Sequence, residues 1–159
     1  MTLPTWNTIS IVKVDAKPSG LWTLAVEYVP PSRLLRLRVV DKDESQKTVG
    51  KEWNRSQGTT CGPDGDQEST TKTGILCSTA SVGALIAKLG GSTADVPDST
   101  PGTTSPYTGK KVFPVGSFCI VAVTIAADAG PLFLTINDTP DAFNLHSGAL
   151  YVEISVAPI

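Results

Sequence analysis

Three oxygen-bearing side chains stand at three-residue intervals in one short segment near the end of the chain. They are Asp138, Asp141 and Asn144, with Pro140 among them. Apolar, strand-like runs precede and follow the segment. Carboxylate and amide oxygens on one rigid loop are what a calcium ion, or the hydroxyl groups of a sugar, requires. The spacing therefore predicts a loop that binds a hydroxylated ligand directly or through a cation, and calcium is the candidate cofactor.

The same residues also allow a purely structural interpretation. Asp138 can cap the turn beside Pro140 through the backbone, while Asp141 and Asn144 are solvated. His146, the only histidine, suggests catalysis with an aspartate partner, but no serine or cysteine stands in a nucleophile-elbow motif. We therefore expect no enzymatic activity, and we expect His146 to contact a sugar or to pack the loop.

The elements that must position this loop are β-strands. Short runs of apolar residues, many of them alternating, are separated by turns rich in the twelve prolines and fourteen glycines of the chain. The predicted strands cover residues 9–14, 21–29, 34–40, 83–89, 117–126, 132–137 and 148–156. A helix over 79–89 is the one rival, and Gly83 weakens it. The pattern predicts an all-β protein, a jelly-roll-like antiparallel sandwich with its chemistry in loops at one end.

Length and composition favour one globular domain over residues 1–159. Hydrophobic residues make up 40% and charged residues 18% of the 159 positions, which is enough to build a core. The net charge of -2 gives no basic face for nucleic acid. No apolar run reaches the roughly 20 residues that span a bilayer, and no classical signal peptide is visible. We expect a soluble protein, cytoplasmic or exported without a classical signal.

Two segments are predicted to be loops without structure of their own. Residues 41–58 are polar and charged, and residues 90–111, rich in Ser, Thr, Pro and Gly, are predicted to be a flexible insertion. The three cysteines have no spacing typical of a zinc site or a disulfide framework. Free buried thiols are the simpler expectation, and a bridge between Cys61 and Cys77 remains open. The third cysteine is Cys119.

Three segments, in order along the chain, carry a family resemblance. They are Gly62-Pro-Asp-Gly-Asp-Gln-Glu68, the run from Gly74 to Gly90 with its Gly-Ala-Leu-Ile-Ala-Lys-Leu-Gly end, and Asn137-Asp-Thr-Pro140 followed by Ser147-Gly148. Together they resemble the galactophilic, calcium-dependent lectins typified by the PA-I lectin of Pseudomonas. The resemblance spans nearly the whole chain, with the 90–111 region longer here. It implies a jelly-roll-like sandwich, a homo-oligomer (dimer or tetramer), and calcium-assisted binding of a galactose-type sugar.

The family's metal ligands are matched only in part. The resemblance implies that Asp138 is a metal-ligating aspartate, and that Ser56 and Ala142 lie where backbone carbonyls coordinate the ion. The family's two consecutive asparagines are replaced by Leu145 and His146. A leucine side chain offers no lone pair, and a histidine nitrogen is a poor ligand for calcium, which prefers 6–8 oxygens.

One compensation is visible in the same loop. Asp141 and Asn144 stand where the family has glycines, so we hypothesise a rebuilt cation site. Its ligands would be Asp138, Asp141, Asn144, and the carbonyls of Ser56 and Ala142. The family's sugar-contacting histidine and glutamine fall near Thr70 and Thr73. The residues expected to contact a carbohydrate are Asp138, Thr139, Thr70, Thr73 and His146. The leading hypothesis is a lectin, and the alternative is a structural or interaction module that has kept the fold and lost the site.

Overall fold

The computed structural model of the protein describes residues 3–40, 53–56, 59–66, 74–93 and 112–159. Within these ranges ten strands are present. They are β1 (Asn7–Asp15), β2 (Thr23–Val29), β3 (Arg33–Val40), β4 (Trp53–Ser56), β5 (Thr59–Cys61), β6 (Leu85–Leu89), β7 (Val112–Pro114), β8 (Phe118–Val123), β9 (Gly130–Ile136) and β10 (Ser147–Pro158). Two short 3-10 helices, Ala126–Asp128 and Pro140–Leu145, lie between the last three strands. The candidate loop is therefore the connection from β9 to β10.

The described strands form two antiparallel sheets around one core, so the predicted all-β sandwich is confirmed. One sheet has the order β5-β4-β10-β3-β8, with β1 also paired to β10. The other has the order β2-β9-β6-β7. The first residues of β10, Ser147 and Gly148, pair with β4, and most of its remaining length pairs with β1 and β3. The candidate loop thus leaves one sheet and enters the central strand of the other.

Alternation along the central strand places its apolar residues in the core. Leu150, Val152 and Ile154 have no exposed surface, whereas Tyr151 and Glu153 are half-buried. Because successive side chains of a strand point to opposite faces, one face of β10 packs between the sheets and the other faces outward. The division holds from Ala149 to Ile154, and Ser155, which alternation places on the outward face, is also fully buried.

The second sheet is buried on both faces along β6 and β9. Lys88 on β6 has no exposed surface, and its Nζ lies 4.7 Å from the ring centroid of Trp22 and 4.9 Å from that of Phe133. The ammonium also donates a hydrogen bond to the carbonyl of Ser92 at 2.6 Å. The chain before β2 is tied down because the Trp22 N–H donates to the Thr93 carbonyl at 3.0 Å. Trp22 therefore covers part of the outer face of this sheet.

The strand predictions agree with the structure except in the short strands. All seven predicted strands are present, and the helix considered over 79–89 is excluded because Leu85–Leu89 is β6. The prediction that 41–58 lacks structure of its own is wrong at Trp53–Ser56, which forms β4. The physical reason is that pairing with the start of β10 supplies the hydrogen bonds of this polar strand. Beyond residue 93, the predicted insertion at 90–111 lies outside the described residues.

Within the described part of the chain, Cys61, Cys77 and Cys119 form no disulfide bond. Cys61 and Cys77 are buried, and burial raises the pKa of the Cys119 thiol. Because the thiolate is the reactive form, Cys119 is a poor nucleophile at neutral pH. In the ranges that the structure describes, no helix is long and apolar enough to cross a membrane.

Candidate functional site

The loop between β9 and β10 is a compact turn with a buried anchor. Pro140 opens its 3-10 helix, where a fixed φ and a missing N–H are tolerated. The Ala142 N–H donates to the Thr139 carbonyl at 3.0 Å, and the His146 N–H donates to the Phe143 carbonyl at 3.1 Å. Phe143 is buried, and its ring centroid lies 4.6 Å from that of His146. These contacts fix the backbone of the loop from the inside.

A chain of polar contacts crosses the base of the loop. Oδ1 of Asp138 accepts a hydrogen bond from the Thr139 N–H at 2.8 Å, and Oδ2 lies 3.0 Å from Nε2 of His146. The other ring nitrogen, Nδ1, lies 2.9 Å from the carbonyl oxygen of Ala16. A carbonyl can only accept, so these partners assign a proton to Nδ1 of His146. The histidine therefore links the end of β1 to the exit of β9.

The Asp138 carboxylate is not exposed at the rim, contrary to the sequence-based expectation. Asp138 has only 1% of its surface accessible, and His146 has 4%. The physical reason is that Nε2 of His146 pairs with Oδ2 of Asp138 inside the protein, where an unpaired carboxylate would be costly. Asp138 cannot reach a bound sugar unless this pair opens. Its role as a metal or sugar ligand stays a prediction, as does a sugar contact by His146.

The outer surface of the loop carries the remaining candidates. Asp141, Asn144 and Leu145 are exposed, and Thr139 and Ala142 are half-buried. The Nζ of Lys17 lies 3.5 Å from the backbone carbonyl of Asn144, as a long hydrogen bond on the exposed side. The structure therefore brings a carboxylate, an amide and an apolar side chain onto one short solvent-facing turn, as the sequence predicted.

The other predicted residues lie on different segments. Ser56 ends β4, which pairs with the start of β10 next to the loop. Thr70 and Thr73 lie outside the described residues. The described chain resumes at Gly74, where an added Cβ would lie 3.8 Å from Cγ2 of Thr139. The end of β4 and Gly74, which directly follows Thr73, therefore both lie beside the loop.

Sequence reasoning did not assign a role to Asn137. This residue is fully buried, and its Nδ2 donates to the carbonyls of Cys77, Ala80 and Ser81 at 2.9, 3.0 and 3.2 Å. Its Oδ1 accepts from the Cys77 N–H at 2.9 Å. The backbone of Asn137 also accepts from the Gly83 N–H at 2.7 Å. One amide therefore fixes the 77–83 segment against the start of the candidate loop. An asparagine directly after an apolar run was the only signal available in the sequence.

The residues at the base of the loop do not fit a calcium ion. Calcium requires several oxygen ligands that converge on one point. Here one Asp138 oxygen accepts from a backbone N–H and the other faces a nitrogen of His146. The described part of the chain contains no group of three or more His, Cys, Asp or Glu side chains that could hold a metal ion.

Comparison with known proteins supports the fold. No family model matches the chain. No curated protein sequence matches it either. Among solved structures, it is similar to one described as "EclA N-terminal domain; PllA-like lectin", with a TM-score of 0.57 and 18% sequence identity. The similarity covers 93% of this chain and 96% of that chain. At this identity the likeness establishes an all-β fold shared with a lectin, and nothing about the ligand.

Proposed function

We propose that the protein is a non-catalytic, carbohydrate-binding lectin whose binding site is the outer surface of the β9–β10 loop. The observation that carries this proposal is the lectin fold, matched over 93% of the chain, with an internally anchored polar loop at one end. A rigid loop suits a weak ligand such as a sugar because little ordering entropy is lost on binding. A galactose-type sugar is the finer proposal, and it comes from the sequence resemblance.

The exposed side chains supply the two kinds of contact that a sugar needs. The Asp141 carboxylate can accept hydrogen bonds from hydroxyl groups, and the Asn144 amide can both donate and accept. Leu145 offers an apolar surface to the C–H face of a sugar ring. Thr139, Thr70 and Thr73 remain proposed contacts.

Calcium assistance stays a prediction from the sequence that the contacts of Asp138 do not favour. The donors exposed at the loop are Asp141 and Asn144, whereas both oxygens of Asp138 already have partners. We therefore expect sugar binding to survive chelation with EDTA. If EDTA abolished sugar binding and added calcium restored it, calcium would be shown to take part in binding.

Removing the exposed polar groups is expected to weaken binding. Asp141→Ala and Asn144→Ala should each raise the Kd for a galactoside about tenfold, because one hydrogen bond to a ligand contributes about 0.5–1.5 kcal/mol, or more when a charge is involved. The measurement is binding of the protein in solution to immobilised galactosides and other glycans. Glu27→Ala, an exposed carboxylate on β2, is the matched control and should leave the Kd unchanged. Equal affinities in all three variants would place the site elsewhere.

A second candidate is a structural or interaction module with the lectin fold. It is favoured by the burial of Asp138 against His146 and by the exposure of Leu145. These two features are what a loop that has lost a sugar site would show. A glycan array that stays blank at high protein concentration, with the protein folded, would support this candidate over the lectin.

Self-association is also proposed, and β8 offers a surface for it. Among the described strands β8 ends its sheet, and its sequence, Phe-Cys-Ile-Val-Ala-Val, carries no charge and no proline. Phe118 and Ile120 on this strand are exposed. A free, apolar edge is a template for another strand, and two copies can pair antiparallel about a two-fold axis. A second copy of this chain is therefore the proposed occupant.

A charge on this edge is expected to break the association. Ile120→Lys should convert a dimer or larger assembly to the monomer, since each copy would bring a lysine charge into the apolar interface. Light scattering coupled to size-exclusion chromatography gives the mass. Ile125→Lys, at an exposed isoleucine outside the strands, is the control and should not change it. A wild-type protein that is monomeric at high concentration, or a variant that keeps its assembly, would rule out this surface.

A further inference from the structure

The base of the candidate loop contains a buried pair of ionisable groups, and the proposed sugar contacts do not use it. We propose that the imidazole of His146 takes the place of a cation at Asp138, so that the β9–β10 loop keeps its shape without calcium. The inference concerns the same site as the proposed function, but it does not depend on sugar binding. It explains why a chain with a family resemblance to calcium-dependent lectins has a histidine at this position.

The contacts of His146 and Asp138 fix the number of protons that the pair holds. Nδ1 of His146 donates to the Ala16 carbonyl, so that nitrogen is protonated. The 3.0 Å contact between Nε2 and Oδ2 of Asp138 then contains one further proton, because two lone pairs at that distance would repel each other. Whichever atom holds this proton, the His146–Asp138 pair has no net charge. A divalent cation placed there would find no negative charge left to attract it.

The ring of His146 already connects the backbone segments that an ion at this position would hold together. Ala16 follows β1, Asp138 follows β9, and His146 directly precedes β10. Both side chains of the pair are buried, 0% exposed for His146 and 2% for Asp138. Phe143 packs against the ring on the inside of the loop. Hydrogen bonds in such a water-excluded place are stronger than on the surface, so the pair can fix all three backbone segments.

The length of the histidine side chain leaves no room for an ion between position 146 and Asp138. An asparagine or aspartate oxygen lies about 1 Å closer to its own Cβ than the Nε2 of a histidine does, by standard bond lengths. A shorter oxygen donor at position 146 would thus leave a gap of about 4 Å to Asp138, which two calcium–oxygen bonds of about 2.4 Å can bridge at an angle. The histidine fills this gap with its own ring, and no space remains for an ion.

Thermal unfolding of the wild-type protein tests the proposal directly. Its Tm in 5 mM calcium chloride is expected to lie within about 1 °C of its Tm in EDTA, because a ligand that does not bind the folded state adds no stability. Calorimetric titration of calcium should give no binding heat. A Tm raised by about 4 °C or more by calcium, or a calcium Kd below about 0.1 mM, would overturn the proposal.

Two variants of His146 separate the contact with Asp138 from the contact with Ala16. In His146→Gln, the amide nitrogen can lie near the position of Nε2 and keep a donor toward Asp138, whereas in His146→Asn it can keep only the contact with Ala16. In EDTA the Tm of the asparagine variant is expected to fall by at least about 5 °C, and that of the glutamine variant by clearly less. Equal Tm values for the two variants would show that the contact between residue 146 and Asp138 adds no stability, and the proposal would fail.

Calcium added to the variants completes the test. The asparagine variant presents an oxygen donor to an Asp138 carboxylate that has lost its partner, so calcium should raise its Tm by about 3 °C or more while the wild type does not respond. If the Tm of the folded asparagine variant also failed to rise with calcium, no cation could occupy this position. The proposal that the imidazole replaces an ion would then be wrong. All these readouts are made without sugar, so a blank glycan array would defeat the lectin proposal and leave this one standing.

Discussion

Replacing Asn137 with alanine is expected to lower the free energy of unfolding by about 3–5 kcal/mol, since an unsatisfied buried polar group costs about 1–3 kcal/mol and several are created at once. The amide donates to the carbonyls of Cys77, Ala80 and Ser81 and accepts from the Cys77 N–H. Alanine removes all four contacts, three of which are buried. Urea denaturation followed by far-UV circular dichroism measures the change.

The control for this substitution lies in the same part of the molecule. Asn144 is exposed, and Asn144→Ala should change the free energy of unfolding by less than about 0.5 kcal/mol, as surface substitutions usually do. Comparing the two asparagines separates the effect of burial and hydrogen bonding from the effect of removing an amide group. A loss below about 1 kcal/mol for Asn137→Ala would mean that the 77–83 segment is held by other contacts.

Replacing Trp22 with alanine is expected to cost about 4 kcal/mol, near the middle of the range for large aromatic residues in a core. Trp22 is 1% exposed and is among the largest fully buried side chains. Its ring faces the Lys88 ammonium, and loss of this cation–π contact adds to the cost of the cavity. Chemical denaturation monitored by circular dichroism is the measurement, because the substitution removes a fluorophore.

Trp22→Phe is the matched control for the same position. A phenyl ring keeps an aromatic face near Lys88 and fills much of the space, so the expected cost is about 1–2 kcal/mol. The order wild type, phenylalanine, alanine should therefore hold in the denaturation midpoints. If the alanine variant lost less than the phenylalanine variant, Trp22 would not be the cover of the second sheet.

Strand positions could be predicted because they depend on a local pattern. Alternation in β3 and β10 follows directly from burial of one face, and these strands were found this way. The strands β4, β5 and β7 have four residues or fewer, which is too short for any periodicity. Strands β6 and β9 are buried on both faces, so they appear as apolar runs without alternation. These two strands were located by the glycines and prolines that flank them, and not by alternation of apolar and polar residues.

The residues of the candidate site could be predicted, but not their directions. The types and spacing of Asp141 and Asn144 indicated an exposed polar loop, and their exposure agrees. Whether Asp138 faces solvent or the interior depends on His146 and on the carbonyl of Ala16, which lies 130 positions from His146 in the sequence. No spacing rule connects a side chain to a backbone atom so far away. The same holds for Asn137, whose partners lie about 60 residues earlier.

The position of Lys17 determines how binding to this protein should be assayed. Its amine is exposed and contacts the backbone of the candidate loop at Asn144, whereas the amine of Lys88 is enclosed by aromatic rings. Among the described lysines, Lys13 is exposed as well, so amine-reactive coupling would modify Lys17 in part of the molecules and spare Lys88. A molecule immobilised through Lys17 would have its candidate loop against the matrix, which would weaken its binding signal. Glycans should be attached to the surface and the protein kept in the mobile phase.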